Sequence, residues 1–178
     1  MVGDVSVRFR GARLSDFPDA IVKQVRALPE GGGAVIVGPI GSGKTHLAAA
    51  IANSANGLGW ETMWLSALDL IAVAKADIAP PKTNSKGFQI KPDNVVETAS
   101  AFDGLLFLDD ATAVRPTEFA LDCLSNVIRL RYDRMLPTVV TTHSSFEEIS
   151  AIFGGAIASR LLEFGPTIKL TGSDRRAK

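Results

Sequence analysis

The octapeptide Gly38-Pro39-Ile40-Gly41-Ser42-Gly43-Lys44-Thr45 constrains this chain more than any other stretch. It fits the pattern of a glycine, four residues, then Gly-Lys-Ser/Thr, which describes a loop that wraps a phosphate. Its flanks fit too. Ala34-Val35-Ile36-Val37 is a short apolar run rich in β-branched residues and reads as a buried strand. His46-Leu47-Ala48-Ala49-Ala50-Ile51-Ala52 is rich in helix formers and holds no breaker. A chance glycine turn would require neither flank. In a strand–loop–helix unit the glycines let backbone N–H groups turn inward around an anion. The helix start adds its partial positive charge. Lys44 is then expected to reach the β- and γ-phosphates, and the Thr45 hydroxyl to sit on Mg²⁺. Gly38 to Thr45, with His46 next in the helix, form the expected nucleotide-holding set.

A second strand is expected at Trp60–Leu65, after a turn at Asn53–Gly59. Both Trp residues suit core packing there, and Ser66 caps a helix to about Lys75. Further helices are expected at Val95–Ala101, Thr117–Met135 and Ala156–Phe164. A short one follows a cap at Ser144 or Ser145. Strands are expected at Leu105–Asp110, Thr138–Thr142 and Thr167–Leu170. In the Thr117–Met135 helix, Leu121, Leu124, Val127, Ile128 and Leu130 form the apolar face. Glu118 and Asp122 lie early while Arg129, Arg131 and Arg134 lie late, which complements the helix dipole. Cys123 reads there as a small packed residue. Five strands alternating with helices imply an α/β fold with a parallel sheet. Right-handed crossovers then put the phosphate loop at the carboxyl end of the first core strand.

Ahead of the core, Val5, Val7, Phe9 and Leu14 suggest a short strand or extended arm. A helix from Phe17-Pro18 to Leu28 follows, with Asp16 as its candidate cap. Residues 1–30 are therefore read as an arm and helix, and 31–178 as the core. Residues 76–92 carry Pro80-Pro81, Gly87 and Pro92, which break regular structure. Lysines cluster there around Phe88. Either a solvated surface loop or a nucleic-acid or partner contact accounts for them.

Leu105-Leu106-Phe107-Leu108 ends in Asp109-Asp110, two carboxylates where a phosphate-loop enzyme needs a metal holder. Asp109 is expected in the Mg²⁺ shell, and Asp110 is the candidate base that orients attacking water. Paired loop-capping carboxylates are the plainer alternative. The guanine-reading Asn-Lys-x-Asp pattern is absent, which favours adenine and hence ATP. Lys plus Arg and Asp plus Glu are equal at 19 each, which argues against a strongly basic nucleic-acid binder but leaves local patches open. The single Cys123 excludes an internal disulfide and suits a cytoplasmic setting. No apolar run is long enough for a membrane span.

The stretch from Asp109-Asp110-Ala111-Thr112 through Arg115-Pro116-Thr117-Glu118-Phe119-Ala120, then Ile128-Arg129-Leu130-Arg131-Tyr132 and Leu136-Pro137-Thr138-Val139-Val140-Thr141-Thr142-His143, resembles the DnaC/IstB group of AAA+ ATPases. Phe9 to Phe17, Gly43 to Ala48, Ile157 to Leu162 and Gly172 to Arg176 are similar to that group as well. The resemblance implies a three-layer P-loop NTPase core with a five-stranded parallel sheet in the order 5-1-4-3-2, and Mg²⁺-dependent ATP hydrolysis. It implies first a helicase loader that acts in DNA replication with a replicative helicase and single-stranded DNA, and, as the alternative ranked below it, a transposition helper that works with a transposase. It also implies a homo-oligomer with nucleotide at subunit interfaces. Arg160 falls at the arginine-finger position, where a local pair with Glu163 is the plainer reading. His143 stands where the group's polar sensor is usually Asn; its imidazole can donate one hydrogen bond toward the γ-phosphate, or merely cap its strand end. No helical lid, and so no lid-borne arginine, is expected after the last strand. A small-molecule kinase on the same loop is a further alternative, although Asp109-Asp110 and Arg160 favour water as acceptor. A nucleotide-dependent binding module with negligible turnover is another.

Overall fold

The computed structural model describes residues 6–28, 32–77, 82–83, 89–90 and 94–171. Its centre is a parallel sheet of β1 (Ala34–Val37), β2 (Thr62–Ser66), β5 (Leu105–Asp109), β6 (Thr138–Thr142) and β7 (Thr167–Lys169), in the order β7-β1-β6-β5-β2. Counted as core strands one to five, that order is 5-1-4-3-2, as expected. β3 (Lys82–Thr83) and β4 (Gln89–Ile90) form a separate antiparallel pair.

The period-2 alternation of the strands sends side chains to two cores. Leu105 and Phe107 of β5 face one side with Ala34 and Ile36 of β1. Helix α2 (Lys44–Gly57) covers that side, with α1 (Asp19–Arg26) packed at its margin. Leu106 and Leu108 face the other side with Val140. There α3 (Ala67–Asp77), α4 (Val95–Ala101), α5 (Glu118–Asp133), α6 (Phe146–Phe153) and α7 (Gly155–Glu163) cover them. The result is a three-layer sandwich. Trp64 stacks on Phe107 with ring centroids 5.3 Å apart, as a core aromatic should.

Several expectations need correction. Residues 7–9 and 14–16 form single 3₁₀ turns rather than a strand. Asp16 does not cap α1, whose first position follows Pro18; its carboxylate instead accepts the Arg13 amide at 2.9 Å. α2 runs on to Gly57, through the expected turn. Asn53 stays helical because its side-chain amide donates to the carbonyls of Phe9, Arg10 and Ala12, tying the arm to the helix. The break falls instead at Leu58–Gly59, where Gly59 takes a φ of 86° that a side chain disfavours. Between residues 76 and 92, where only irregular chain was expected, the β3–β4 pair occurs. The lysine side chains read there as a DNA contact lie outside the described residues.

Caps match better. Ser66 accepts the Asp69 amide at 3.0 Å ahead of α3, and Ser145 and Glu148 form a reciprocal capping box on α6. Arg131 differs most. It does not answer the helix dipole from the surface; it is fully buried. Its guanidinium donates to Thr138 Oγ1 and to the carbonyls of Ala99, Phe102, Gly104 and Pro137, at 2.8–3.0 Å. It thus ties α4 and α5 to the starts of β5 and β6. Burial pushes its pKa down to about 10, against a smaller opposing pull from Asp103.

Candidate nucleotide site

Parallel strands place their carboxyl ends together, and here those ends of β1, β5 and β6 share one cavity of about 410 Å³. Ile40, Gly41, Gly43, Lys44, Thr45 and His46 line it from the loop and α2, and Asp110, Thr141 and His143 from the neighbouring strand ends. Arg8 and Phe9 complete the wall from the N-terminal arm. Most of the expected site residues therefore meet in one place.

The loop is built by its glycines. Gly41 and Gly43 have φ of 79° and 98°, in the left-handed region, which turns successive amides to one side. Gly38 is needed for proximity: a Cβ there would lie 2.5 Å from the Leu170 carbonyl oxygen. Lys44 Nζ donates to the carbonyls of Gly38 and Pro39 at 2.9 and 3.0 Å, so the ammonium lies over the loop. The Ser42 hydroxyl is buried, with no hydrogen-bond partner among the described residues. Such a loop at a helix start can hold the phosphates of a nucleotide.

Across the cavity floor, Thr45 Oγ1 donates to Asp109 Oδ1 at 3.1 Å. Thr141 Oγ1 donates to the same oxygen at 2.6 Å and accepts the Asp110 amide at 2.8 Å. Burial pushes the Asp109 carboxyl above its ordinary pKa; the Thr141 and Thr45 hydroxyls pull the other way without offsetting it. A half-buried carboxylate beside a hydroxyl offers only oxygens, the donor set a hard divalent cation takes. Asp110 sits just past β5 with φ 53°, and its Oδ1 is 3.2 Å from His143 Nδ1. His143 therefore does more than end its strand: it faces the second carboxylate.

His46, besides lining the cavity, engages the N-terminal arm. Its Nε2 lies 2.8 Å from Asp16 Oδ2, and its ring meets the edges of Phe9 and Phe17. The Arg13 amide first, and His46 second, hold the Asp16 carboxyl below its usual range. His46 thus docks the arm that brings Arg8 and Phe9 to the cavity. Sequence reading missed Arg8, Phe9 and Thr141 as wall residues; the one available signal was the arm's Phe9-to-Phe17 pattern.

Arg160 does not join this site. α7 leads into Phe164, whose carbonyl accepts the Gly33 amide just before β1 begins. Arg160 therefore stands at the edge where the strands start, and the loop lies where β1 ends, about 13 Å farther along for four residues. The Arg160 guanidinium sits 5.6 Å from the Tyr132 ring centroid rather than on Glu163. The i,i+3 pair with Glu163, the plainer alternative for Arg160, is absent among the described residues.

Loop, carboxylate strand and sheet order together define a P-loop nucleotide-binding protein with the AAA+ core fold. The chain belongs to the family of IstB-like ATP binding proteins, whose sequence profile matches residues 17–176. Two relatives are named for insertion sequences. An insertion sequence ATP-binding protein of Sinorhizobium fredii is 29% identical over 126 residues, covering 71% of this chain and 39% of the relative. The IS5376 ATP-binding protein of Geobacillus stearothermophilus is 27% identical over 150 residues, covering 81% and 55%. The chain thus spans only about half, or less, of these relatives. Among solved structures, the DnaC helicase loader superposes with a TM-score of 0.74 at 22% identity, over 93% of this chain and all of that one. AMPPCP-bound DnaA from Aquifex aeolicus gives 0.67 at 18% identity, over 97% of this chain and 53% of that one. These two likenesses concern the fold. No helix among the described residues is long and apolar enough to cross a membrane.

Proposed function

We propose that the protein is a Mg²⁺-dependent ATPase, and that it serves the movement of a DNA element as a transposition helper. The ATPase reading rests on one observation above the rest: Thr45 and Asp109, 64 residues apart in sequence, share a hydrogen bond of 3.1 Å directly beside the phosphate loop. Those two residues would hold Mg²⁺, and the ion would supply positive charge across the phosphate oxygens. The loop amides and Lys44 bind and orient the β- and γ-phosphates. Asp110, set by its backbone bond to Thr141, orients the attacking water and accepts its proton. His143 steadies that carboxylate and senses the γ-phosphate. Arg160, far from its own loop, completes the site of a second copy.

The biological setting rests on family membership and on the two insertion-sequence relatives. A second reading is a helicase loader that binds single-stranded DNA with a replicative helicase. It is supported by the whole-length likeness to the DnaC loader. That likeness concerns the fold, so it ranks second for the partner.

The test is phosphate release from ATP and Mg²⁺ by the intact chain, alone and with duplex or single-stranded DNA. Lys44→Ala should lose nucleotide binding, and Asp110→Asn should bind ATP but turn over slowly. Normal turnover by Asp110→Asn would remove Asp110 from its role. Specific retention of a transposase encoded beside the protein supports the first setting; retention of the replicative helicase instead supports the second.

A further inference from the structure

The surroundings of Arg160 hold a device that the nucleotide site does not use. On a helix, residues three apart are neighbours, so Glu163 is the natural ion-pair partner of Arg160. The two do not pair in the structure. One carboxylate oxygen of Glu163 accepts the Tyr132 hydroxyl of α5 at 2.5 Å, and the other accepts the Ser159 hydroxyl at 3.2 Å. Both oxygens are engaged. The Arg160 guanidinium lies over the Tyr132 ring, whose negative face attracts the cation without consuming an N–H donor. The Tyr132–Glu163 bond is strong enough to push the phenol above its ordinary pKa, with that hydrogen bond the largest cause. Among the described residues, no carboxylate lies within ion-pair distance of Arg160.

We propose that Tyr132 is a positioning residue for Arg160. Its hydroxyl holds Glu163 aside while its ring holds the guanidinium. Arg160 is thereby presented with open, unneutralised donors to a nucleotide phosphate on a second copy of the chain. A free Glu163 would turn back onto Arg160, one turn away, and compete with that phosphate for the same fork of N–H groups. The inference rests on Arg160 acting on a neighbour's nucleotide, and the experiment separates the two ideas.

Four variants of the full chain are compared for ATP affinity, with a fluorescent ATP analogue, and for kcat of ATP hydrolysis: Arg160→Ala, Tyr132→Phe, Glu163→Gln and Tyr132→Phe with Glu163→Gln. Tyr132→Phe keeps the ring and removes only the hydroxyl, so the fold is kept. It should bind ATP normally and lose about threefold to fivefold in kcat, the scale of one exposed ion pair. Glu163→Gln alone should stay near the parent rate. The double variant should recover to the rate of Glu163→Gln, because the competing charge is gone. A merely structural Tyr132 would not be rescued by removing a carboxylate. If Arg160→Ala is inactive while Tyr132→Phe keeps full kcat, or if Glu163→Gln fails to repair it, the positioning role is overturned alone. Full hydrolysis by Arg160→Ala overturns the finger and the positioning role together.

Discussion

Thr141 Oγ1 donates to Asp109 Oδ1 at 2.6 Å, so one hydroxyl of β6 fixes a carboxylate at the end of β5. The same oxygen accepts the Asp110 amide, so both acidic residues depend on it. Thr141→Val keeps the shape and removes that control. The parent's Mg²⁺ requirement for half-maximal hydrolysis should rise about 10- to 100-fold, the usual cost of losing a partner that orients a metal ligand. A Mg²⁺ titration of hydrolysis checks it; an unchanged midpoint would leave Asp109 oriented by Thr45 alone.

Asp109 also makes the site costly to fold. Burial holds its carboxyl above the ordinary value, so the folded protein disfavours the ionised form. For an acid with a raised folded pKa, the folded state binds more protons between the unfolded and folded values. Stability therefore falls as pH rises through that window, and the loss is complete above it. Asp109→Asn removes the cost. Without nucleotide or Mg²⁺, the variant should be more stable than the parent at neutral pH. The gain should shrink as pH falls through that window and be gone below about 4, where the parent carboxyl is protonated in both states. Urea unfolding at pH 7 and pH 4 measures it; a variant less stable than the parent at pH 7 would contradict the burial argument.

Arg131 shows the opposite economy, a buried charge that the fold uses. Its side chain satisfies four carbonyls and a hydroxyl at the junction of α4, β5 and β6. Arg131→Met leaves those acceptors buried without donors and should cost on the order of 3 kcal/mol or more. Arg131→Lys should rescue little, because an ammonium has three donors and no planar fork. An unfolding free energy from urea titration for the lysine variant within about 1 kcal/mol of the parent would show that charge matters there rather than geometry.

The phosphate loop, the Asp109-Asp110 strand end and the five strands alternating with helices were legible in the sequence because each is a local signal: a glycine spacing, an apolar run, a regular alternation; the order of the strands came only from the family resemblance. What escaped depends on groups distant in sequence. Arg131 carries the same letter whether it faces water or four carbonyls, and only the approach of residues 99–104 decides. Asn53 read as a turn residue because its preference for loops is a backbone matter. Its three bonds to the arm, more than forty residues earlier, override that preference. Arg8 and Phe9 reach the cavity only through that arm, which His46 also docks. Thr141 looked like an ordinary β-branched strand residue, since its hydroxyl matters only once β5 lies beside it.

The final prediction concerns assembly. Arg160 stands at the edge where the strands begin, and its own phosphate loop lies where β1 ends, so one chain cannot bring the two together without refolding. An arginine acting from a neighbour stabilises the charge that develops on the transferring phosphoryl group, worth about 10³–10⁵ in rate in other P-loop enzymes. Arg160→Ala should therefore bind ATP nearly as the parent does and lose hydrolysis. Lys44→Ala should lose binding, because it removes a charged contact to the phosphates. Each variant alone is inactive, yet mixing them creates an interface with an intact loop on one side and an intact Arg160 on the other. Hydrolysis should reappear in the mixture and rise with total protein concentration as subunits associate. A mixture as inactive as its components would mean that the two residues do not complement each other across an interface. Parent hydrolysis strictly proportional to protein concentration, joined to an active Arg160→Ala, would mean that each chain works alone.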